Sequence, residues 1–343
     1  MQVAELTDVR KFHMTETPIA EPGPGEIQVR VESVGICGSD VHSYAEGGIG
    51  DSSNLYPMVL GHEPSGTVVK TGTGVTGWSA GDRAFLEPAL YCYHCESCLT
   101  GHHNVCANIR FLSNPGHPGF FRQYANLPER NLIGIPKSLS FDHATLIEPL
   151  AIGIHTLSFT DLKLGDTAAV MGAGPIGLLA IACLKLAGAG RIWAVEPMAH
   201  RRELALHMGA TVVIDPGAVD PAKQILADTG QRGVDVAVDC AAKRHTTNWA
   251  IHAVRNAGRV VLSGIHSEVL VPLETSPMRR KEVALFNVRR SNHESEAALQ
   301  MITAHPALFA PLVTHTRPME SIAEAFSIAE HYADGVGKLI VKP

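Results

Sequence analysis

Short apolar runs alternate with amphipathic stretches over the middle of the chain. Five runs are rich in Val, Ile and Ala and are short enough for buried strands, at residues 167–171, 192–195, 211–214, 234–238 and 260–262. Apolar residues at helical spacing fill the intervals between them, at 176–186, 200–208, 222–227 and 246–254. Short apolar strands that alternate with helices predict βαβ units built around a parallel sheet.

The two ends of the chain follow other patterns. Residues 26–34 and 66–69 alternate or are β-branched, and Gly and Pro separate such runs, so the first 150 residues are expected to be rich in strands. Near the C-terminal end, 294–302 and 322–332 predict amphipathic helices and 338–342 a short strand. A length of 343 residues suggests about two domains, at roughly 150 residues per domain.

Composition narrows the class of protein. Hydrophobic residues make up 45% of the chain and charged residues 18%, which supports a sizeable core and excludes disorder as the main state. The chain has 34 acidic and 28 basic residues without a basic cluster, so nucleic acid is not an expected partner. The N-terminus has no signal-peptide pattern, and a cytoplasmic location is expected. No charge occurs between Asp166 and Lys185, but glycines and Pro175 favour a strand, a turn and a buried helix over a membrane span.

A glycine-rich turn follows the first predicted strand of the parallel sheet. Gly172, Gly174 and Gly177 form a G-x-G-x-x-G, with Pro175 and Ile176 between the last two. The first glycine permits the tight turn, the second lets a pyrophosphate approach the backbone, and the third lets the helix pack on the strand. The helix N-terminus would face the phosphates. In this context the turn predicts a dinucleotide site.

An acidic residue ends the next predicted strand. Glu196 lies about 20 residues beyond the glycine turn, where a carboxylate can hold the ribose 2′-hydroxyl of the cofactor. Because a carboxylate repels a 2′-phosphate, the sequence predicts NAD rather than NADP. His200, Arg201 and Arg202 follow closely, and a nearby Arg can accommodate the phosphate, so the strictness of that preference stays open. The alternative for Glu196 is a solvated strand end.

Four of the seven cysteines are spaced C-x2-C-x2-C-x7-C, at Cys92, Cys95, Cys98 and Cys106. Four thiolates this close together can surround one tetrahedral Zn²⁺ and close it to water, which predicts a structural zinc site. Iron–sulfur ligation is the alternative, and the short last gap favours zinc. The histidines within this segment, His94, His102 and His103, are expected to be exposed loop residues.

Further candidate ligands lie outside the cysteine-rich segment. Cys37 lies in G-I-C-G-S-D-V-H, His62 and Glu63 in G-H-E-P, and Glu148 in I-E-P-L. Taken singly, each is better explained without a metal, as a buried thiol, a loop histidine or a glutamate at a helix start. Together with the four-cysteine spacing, I-E-P-L-A-I-G-I-H and G-A-G-P-I-G, they make the chain similar, essentially end to end, to the zinc-dependent medium-chain alcohol dehydrogenases. Within that family it resembles the sorbitol (polyol) dehydrogenase group.

The resemblance implies an α/β fold with two kinds of domain. A GroES-like β-barrel catalytic domain carrying the structural zinc lobe would span residues 1–150. A Rossmann domain, a doubly wound parallel sheet that binds NAD, would span 151–286. Residues 287–343 would return to the catalytic domain.

The resemblance also implies a catalytic zinc site. Cys37, His62 and Glu63 would bind the metal, and Glu148 would act in or just beyond the ligand shell, either as a ligand or on a water beside the zinc. Such a set leaves a position for water or substrate. Zinc would act as a Lewis acid on the alcohol, while the nicotinamide accepts the hydride. Ser39 and His42 match the family's proton relay; the alternatives are a turn hydroxyl and a packed surface histidine.

Other positions are implied for the cofactor and the substrate. The expected cofactor contacts beyond the glycine turn are Glu196, Arg201, Ser263, Gly264, Ile265 and Arg289. The expected substrate contacts are Tyr44, Phe111, Glu148 and Arg290, and an interdomain salt bridge is the alternative for the two arginines 289 and 290. Ser43 and Ser291 stand where family members tend to carry aromatic residues, which leaves the exact polyol open.

The function implied is hydride transfer between NAD and a secondary alcohol of a polyol or related sugar, with one catalytic and one structural zinc per chain in a homotetramer. L-Threonine 3-dehydrogenase or another secondary-alcohol dehydrogenase is the close alternative. A non-catalytic dinucleotide-binding protein belongs to a different class, and such relatives often lose the zinc ligands that this chain keeps.

Overall fold

The computed structural model describes residues 1–343. Its strands, in chain order, are β1 (Gln2–Asp8), β2 (Lys11–Glu16), β3 (Glu26–Gly35), β4 (Gly48–Ile49), β5 (Ser52–Ser53), β6 (Glu63–Thr71), β7 (Arg83–Leu86), β8 (Ala89–Leu90), β9 (Arg110–Phe111), β10 (Tyr124–Pro128), β11 (Leu132–Gly134), β12 (Thr167–Met171), β13 (Arg191–Val195), β14 (Val212–Ile214), β15 (Val234–Asp239), β16 (Val254–Leu262), β17 (Ala284–Asn287), β18 (Val313–Pro318) and β19 (Lys338–Lys342). Its α-helices are α1 (Gly38–Glu46), α2 (Glu96–Leu99), α3 (Phe141–Ala144), α4 (Ile147–Ser158), α5 (Pro175–Leu186), α6 (Ala199–Met208), α7 (Pro221–Asp228), α8 (Thr246–Ala253), α9 (Thr275–Lys281), α10 (Ser295–Ala304), α11 (Pro306–Phe309) and α12 (Ile322–His331).

The chain divides into two compact units. The first contains Met1–Glu148 and Ser295–Pro343, and the second contains Pro149–Glu294. The family resemblance implies a second boundary after residue 286, whereas in the structure it follows Glu294. One physical reason is that Oε1 of Glu294 lies 2.8 Å from Nδ1 of His155, a hydrogen bond that anchors the segment after β17 in the second unit.

The first unit is built on a seven-stranded, mostly antiparallel sheet. Its order is β11-β7-β6-β3-β19-β18, and β10 also pairs with β3. Strand β3 is the central member, and its residues Ile27, Val29 and Val31 are buried in the unit's main apolar cluster. The C-terminal strand β19 pairs with the end of β3, since Ile340 lies opposite Gly35, so the last segment of the chain completes this sheet.

The second unit contains a six-stranded sheet in the order β14-β13-β12-β15-β16-β17, with every neighbouring pair parallel. In chain order this is the 3-2-1-4-5-6 arrangement of a doubly wound dinucleotide-binding sheet. The predicted parallel sheet is therefore confirmed. The strand order reverses between β12 and β15, and in such sheets the ligand binds outside the carboxyl ends of the strands at that point.

Helix α5 explains the uncharged run that raised the question of a membrane span. Gly174 is its N-cap and Pro175 occupies its first turn, where a missing N–H costs nothing. The helix is only 12 residues long, and most of its apolar residues are buried. No helix in the structure is both long enough and apolar enough to cross a membrane.

Candidate zinc centres and dinucleotide site

Three of the predicted zinc ligands meet in the first unit. Cys37 is the N-cap of α1, Glu63 is the first residue of β6, and His62 directly precedes that strand. Their ligand atoms all lie within 4.8 Å of one another, and both His62 and Glu63 are buried. A thiol, an imidazole and a carboxylate at this separation form a donor set that suits zinc and leaves a fourth position open.

Asp40, whose role the zinc-ligand motifs do not indicate, holds Cys37 and His62 in place. Its Oδ2 accepts a hydrogen bond from the backbone N–H of Cys37 (3.1 Å), and its Oδ1 accepts one from Gly61 (3.2 Å). The same Oδ1 lies 3.2 Å from Nδ1 of His62, which leaves Nε2 for a metal. Burial opposes ionisation of both groups, but Asp40 and Cys37 raise the pKa of His62 and His62 lowers the pKa of Asp40. An acid three residues after a helix N-cap is the sequence signal that could have identified it.

A buried lysine, also missed, pairs with the carboxylate of Glu63. Lys338 on β19 is 2% exposed and forms an ion pair with Glu63 Oε2. Burial would lower the pKa of Lys338, but Glu63 and Cys37 raise it. Gly35 makes room for the pair: a Cβ there would lie 2.1 Å from Glu63 Oε2 and 2.8 Å from Cε of Lys338. Nothing in the pattern of Lys338-Leu-Ile-Val-Lys342 indicates that its first lysine is the buried one.

Glu148, at the start of α4, lies outside the group of three ligand atoms, but the charges of His62 and Glu63 affect its pKa. It is 4% exposed, and its Oε2 has no hydrogen-bond partner in the structure. Burial raises its pKa to about 8, with further increases from Glu63 and Glu87 that His62 and Lys338 oppose. A buried carboxyl of this kind can exchange a proton near neutral pH.

The two candidate relay residues lie on one face of α1. Ser39 Oγ is 3.4 Å from Nε2 of His62, so this hydroxyl borders the ligand group. His42 follows one turn later, is partly exposed, and shares a 2.9 Å hydrogen bond between its Nδ1 and Oε1 of Glu46. The hydroxyl and the imidazole therefore lie on the same side of the helix, with the second nearer to solvent.

The four cysteines of the predicted structural site also converge. Their sulfurs lie within 4.8 Å of one another, with Cys92–Cys106 at 3.4 Å, Cys95–Cys106 at 3.8 Å and Cys92–Cys98 at 3.9 Å. Four sulfurs at the usual Zn–S length of about 2.3 Å would be ~3.8 Å apart around a tetrahedral ion. Backbone hydrogen bonding from His94, with help from Asn108, lowers the pKa of Cys92 to about 5. These residues fit one zinc ion.

The histidines of this lobe lie outside the sulfur cluster. His94 and His102 are exposed, and His94 Nδ1 lies 2.8 Å from the carbonyl oxygen of Cys92. His103 differs from the expectation of an exposed loop residue, because it is half-buried against the rings of Tyr91 and Tyr93. It contributes packing to the lobe.

The glycine turn occupies the predicted place at the switch point of the second unit. Gly172 has a φ of 88° and follows β12 directly. A Cβ on Gly177 would lie 1.9 Å from the carbonyl oxygen of Gly172, so only glycine allows helix α5 to pack this closely. Gly174, Pro175 and Ile176 open the helix, whose N-terminal N–H groups are available to phosphates.

Glu196 follows β13 and is tied to the glycine turn. Its Oε2 accepts a hydrogen bond from the N–H of Ala173 (2.8 Å) and its Oε1 accepts one from Met198 (3.0 Å). It is 4% exposed, so it is not the solvated strand end considered as an alternative.

The two arginines that follow Glu196 are both engaged near the turn. Arg201 is buried, with its guanidinium 3.8 Å from where a Gly174 Cβ would be. Arg202 donates to the carbonyls of Glu196 and Pro197 and pairs with Asp215.

The remaining expected cofactor residues, and Arg290 among the expected substrate residues, lie in the second unit. Ser263 and Gly264 follow β16, and Ser263 Oγ lies 2.9 Å from Thr156 Oγ1. Ile265 is exposed. Arg289 and Arg290 follow β17, the first exposed and the second half-buried with a left-handed φ of 55°.

Two expected substrate residues lie in the first unit, and their surroundings differ. Phe111 is buried with its ring 5.4 Å from that of His62, so it borders the ligand group. Tyr44 does not: its ring packs between Phe12 and Phe326 in the apolar cluster, 5.5 and 4.9 Å away. The expectation for Tyr44 is therefore corrected. Tyr44 lies on the side of α1 that packs against the apolar cluster, so its ring is part of the core.

Taken together, a parallel sheet with a glycine turn and a thiol–imidazole–carboxylate group define a zinc-dependent nucleotide-linked dehydrogenase. Residues 23–137 match the alcohol dehydrogenase GroES-like domain, and residues 175–304 match the zinc-binding dehydrogenase domain. The chain belongs to the zinc-dependent medium-chain alcohol dehydrogenases and, within them, is sorbitol-dehydrogenase-like.

Individual relatives align over nearly the whole chain. A sorbitol dehydrogenase from Bacillus subtilis is 33% identical over 343 residues, covering 100% of this chain and 97% of the relative. A D-xylulose reductase A from Aspergillus niger is 32% identical, covering 94% and 91%. A zinc-binding dehydrogenase from Sinorhizobium meliloti, solved with NADP bound, superposes with a TM-score of 0.91 at 28% identity and covers 100% and 99%.

Proposed function

We propose that this protein is a zinc-dependent polyol dehydrogenase that transfers hydride between NAD and a secondary alcohol of a polyol or related sugar, reversibly giving the ketone. The observation that carries the proposal is the convergence of Cys37, His62 and Glu63 in the first unit of a chain whose second unit has a glycine turn at its switch point. The names of the relatives, sorbitol dehydrogenase and D-xylulose reductase, indicate the substrate class.

The chain's own residues would hold and orient the reacting groups. Zinc, when bound, supplies Lewis-acid activation of the alcohol hydroxyl, and nicotinamide supplies the hydride acceptor. Cys37, His62 and Glu63 would hold the metal, with Asp40 fixing the orientation of the His62 ring. Glu148 would act next to the metal, where its raised pKa suits a group that holds or releases a proton.

Ser39 and His42 would carry the alcohol proton toward solvent. The hydroxyl of Ser39 borders His62, and His42 lies one helical turn further along α1, partly exposed and hydrogen-bonded to Glu46. A hydroxyl can accept one proton while donating another, and a histidine can do the same at neutral pH. The proposal assigns the first step of the relay to Ser39 and the exit step to His42.

The preference for NAD is part of the proposal. Glu196 is buried beside the glycine turn. Its carboxylate would accept a hydrogen bond from the ribose 2′-hydroxyl and would repel a 2′-phosphate. Arg202 is engaged by Asp215 and by two carbonyls, which leaves it poorly placed to neutralise a phosphate. Because a dehydrogenase of similar structure was solved with NADP bound, kcat/KM should be measured with both NAD and NADP. We expect kcat/KM to be higher with NAD; a value tenfold higher with NADP (about 1.4 kcal/mol) would overturn the preference.

Substrate identity is tested by a panel. Purified zinc-loaded protein is supplied with NAD and with polyols, inositols, sugar acids or threonine, and formation of reduced nicotinamide is followed. Polyol oxidation is expected to be the fastest, with Arg290 and Phe111 as the proposed contacts. Faster oxidation of threonine would move the assignment to the related threonine 3-dehydrogenase. If none of these compounds supports reduction of NAD, the assignment as a polyol dehydrogenase is contradicted.

We further propose a homo-oligomeric, cytoplasmic protein, with the tetramer suggested by family resemblance. Strand β17 is an edge of the parallel sheet, and the segment after β16 carries exposed apolar side chains at Ile265, Val269 and Leu270, which favours contact between copies. All seven cysteines are free in the structure, as is expected of a protein in a reducing compartment. Light scattering on the purified protein measures the assembly, and a monomer mass would overturn this part of the proposal.

A further inference from the structure

A buried carboxylate ends the strand next to the glycine turn. Asp239 is the last residue of β15, is 1% exposed, and lies opposite Met171, the last residue of β12. These two strands flank the point where the strand order reverses, so the segments that follow them border the expected cofactor crevice. The sequence pattern gives this residue no role.

Each oxygen of the Asp239 carboxylate accepts two hydrogen bonds from the segment that follows it. Oδ1 accepts from the N–H groups of Ala241 (3.1 Å) and Ala242 (3.0 Å). Oδ2 accepts from the hydroxyls of Thr246 (2.9 Å) and Thr247 (2.7 Å) at the start of α8. The charge is thus spread over four neutral donors, all supplied by the turn between β15 and α8 and the first residues of that helix.

The segment Cys240–Ala242 lies between two glycines expected to contact the cofactor. A Cβ on Gly172 would lie 2.8 Å from the Cβ of Ala241, and a Cβ on Gly264 would lie 2.8 Å from the Cβ of Ala242. The N–H of Cys240 donates to the carbonyl of Met171, and the carbonyl of Asp239 accepts from both Ser263 and Gly264, each at 2.9 Å. Shifting this segment would therefore move the glycine turn, the Ser263–Gly264 pair, or both.

The backbone of the segment is held in an unfavourable conformation. Ala242 has a φ of 49°, in the left-handed region that an L-residue with a Cβ avoids. Such a residue persists only where surrounding contacts determine it. Here the contacts are the hydrogen bond from Ala242 N–H to Asp239 and the close packing against Gly264.

We propose that Asp239 is a positioning residue for the dinucleotide: its carboxylate fixes the Cys240–Ala242 segment, which sets the spacing between the Gly172 turn and the Ser263–Gly264 pair. The inference rests on the proposed binding of a nicotinamide dinucleotide at this edge. It assigns Asp239 no contact with the cofactor. It predicts that loss of the carboxylate weakens cofactor binding without a matching effect on the polyol.

The same strand offers a matched control at its other end. Asp235 lies near the start of β15, at the end of the sheet away from the crevice, and pairs with Arg232 and Arg255. Asp235→Ala therefore removes a largely buried carboxylate from the same strand without touching the turns at the crevice. Comparing it with Asp239→Ala separates general destabilisation from cofactor positioning.

The experiment measures Kd and KM for NAD, KM for the polyol at saturating NAD, and Tm, for the wild type and each zinc-loaded variant. For Asp239→Ala we expect the Kd and KM of NAD to rise on the order of tenfold, with the polyol KM within about twofold. For Asp235→Ala we expect a lower Tm and unchanged NAD affinity. Asp239→Asn keeps an oxygen for the two amides, and Thr247→Val removes one donor; both should raise the Kd of NAD, by less than Asp239→Ala does.

Unchanged NAD affinity in Asp239→Ala, or an equal loss of affinity in Asp235→Ala, would overturn the inference. If Asp239→Ala does not fold, Asp239→Asn and Thr247→Val decide: weaker NAD binding in either supports the positioning role, and wild-type binding in both refutes it. Failure of the wild type to bind either dinucleotide would instead contradict the proposed function, so the two outcomes are distinguishable.

Discussion

At the scale of single residues, the proposed zinc-ligand group of Cys37, His62 and Glu63 depends on partners outside that group. Glu63 is wholly buried, and an isolated carboxylate in that position would be costly to desolvate. Lys338 supplies the opposite charge, and Gly35 supplies the space for both side chains. Asp40 similarly orients His62 and accepts a hydrogen bond from the backbone N–H of Cys37, a proposed ligand. The chemistry of the site therefore rests on residues from distant parts of the chain.

Lys338→Met should be strongly destabilising because it leaves the Glu63 carboxylate buried without its cation. Removing one partner of a buried ion pair costs about 3–5 kcal/mol. Lys342→Met, on the same strand, is the control: its ammonium is partly exposed and pairs with Asp142, so its loss should cost about 1 kcal/mol or less. Urea unfolding of the zinc-free proteins gives both free energies. Equal losses would show that Lys338 is not needed to balance Glu63.

Ser39→Ala tests the relay. If Ser39 passes the alcohol proton on, the variant should lose on the order of 10²-fold in kcat while it retains zinc at both sites. Zinc content by elemental analysis and kcat under conditions where chemistry is rate-limiting are the two measurements. Ser53→Ala, at an exposed serine in β5, serves as the control. An unchanged kcat in Ser39→Ala would refute the relay.

At the scale of elements, the parallel strands are the most predictable part. The apolar run at 167–171 coincides with β12, because a buried parallel strand is a continuous apolar run. The pattern predicts β16 only at 260–262, although this strand begins at Val254, since its first half contains Arg255, Asn256 and Gly258 and lacks an apolar run. Strand β17 and helix α9 have no predicted counterpart because each is short and neither contains a buried residue.

Asp235, at the amino-terminal end of β15, should make the free energy of unfolding depend on pH. Burial would raise the pKa of Asp235, but hydrogen bonds from Arg232, Thr167 and Arg255 hold it well below its usual range. A carboxyl whose pKa is lower in the folded state contributes stability above its unfolded pKa of about 3.9, and this is lost as pH falls toward the folded value. Asp235→Asn should therefore cost about 2 kcal/mol at neutral pH and less near pH ~3.

Unfolding free energies of the wild type and Asp235→Asn over that pH range test this dependence. Asp51→Asn, at an exposed site, provides the control for a change of charge alone. A difference between wild type and Asp235→Asn that stays constant with pH would contradict the assignment.

The C-terminal end of helix α8 is capped by the side chain of a lysine from helix α9. Lys281 at the end of α9 donates from Nζ to the carbonyls of His252 (2.7 Å) and Val254 (2.8 Å), with Ile251 at 3.4 Å. These are carbonyls at the C-terminal end of the helix, where a positive charge is favourable. Lys281→Met should lower the free energy of unfolding by about 1–2 kcal/mol, whereas exposed Arg280→Met should change it little, and denaturant unfolding measures both. Equal effects would contradict the capping role.

At the scale of the whole molecule, the sequence predicts the class of fold and the two groups of candidate metal ligands that the structure brings together, because spacing and local motifs carry that information. C-x2-C-x2-C-x7-C places four thiols in one loop, and G-x-G-x-x-G marks the turn after β12. Contacts between distant segments leave no such signal. Lys338 meets Glu63, and Tyr44 packs on Phe326, only because strands and helices far apart in the chain pair in the first unit. Because these contacts are long-range, local sequence patterns indicate neither the buried ion pair of Lys338 nor the position of Tyr44 in the core.

The central claim is that zinc held by Cys37, His62 and Glu63 is required for nucleotide-linked oxidation of a polyol. The most direct measurement compares NAD reduction with a polyol by the zinc-loaded protein, the same protein after removal of the catalytic zinc, and Cys37→Ala, with the structural zinc content verified in each. The account predicts reduced nicotinamide from the loaded wild type alone, and recovery when zinc is restored to the stripped wild type. Undiminished turnover in Cys37→Ala or in the stripped protein would contradict it.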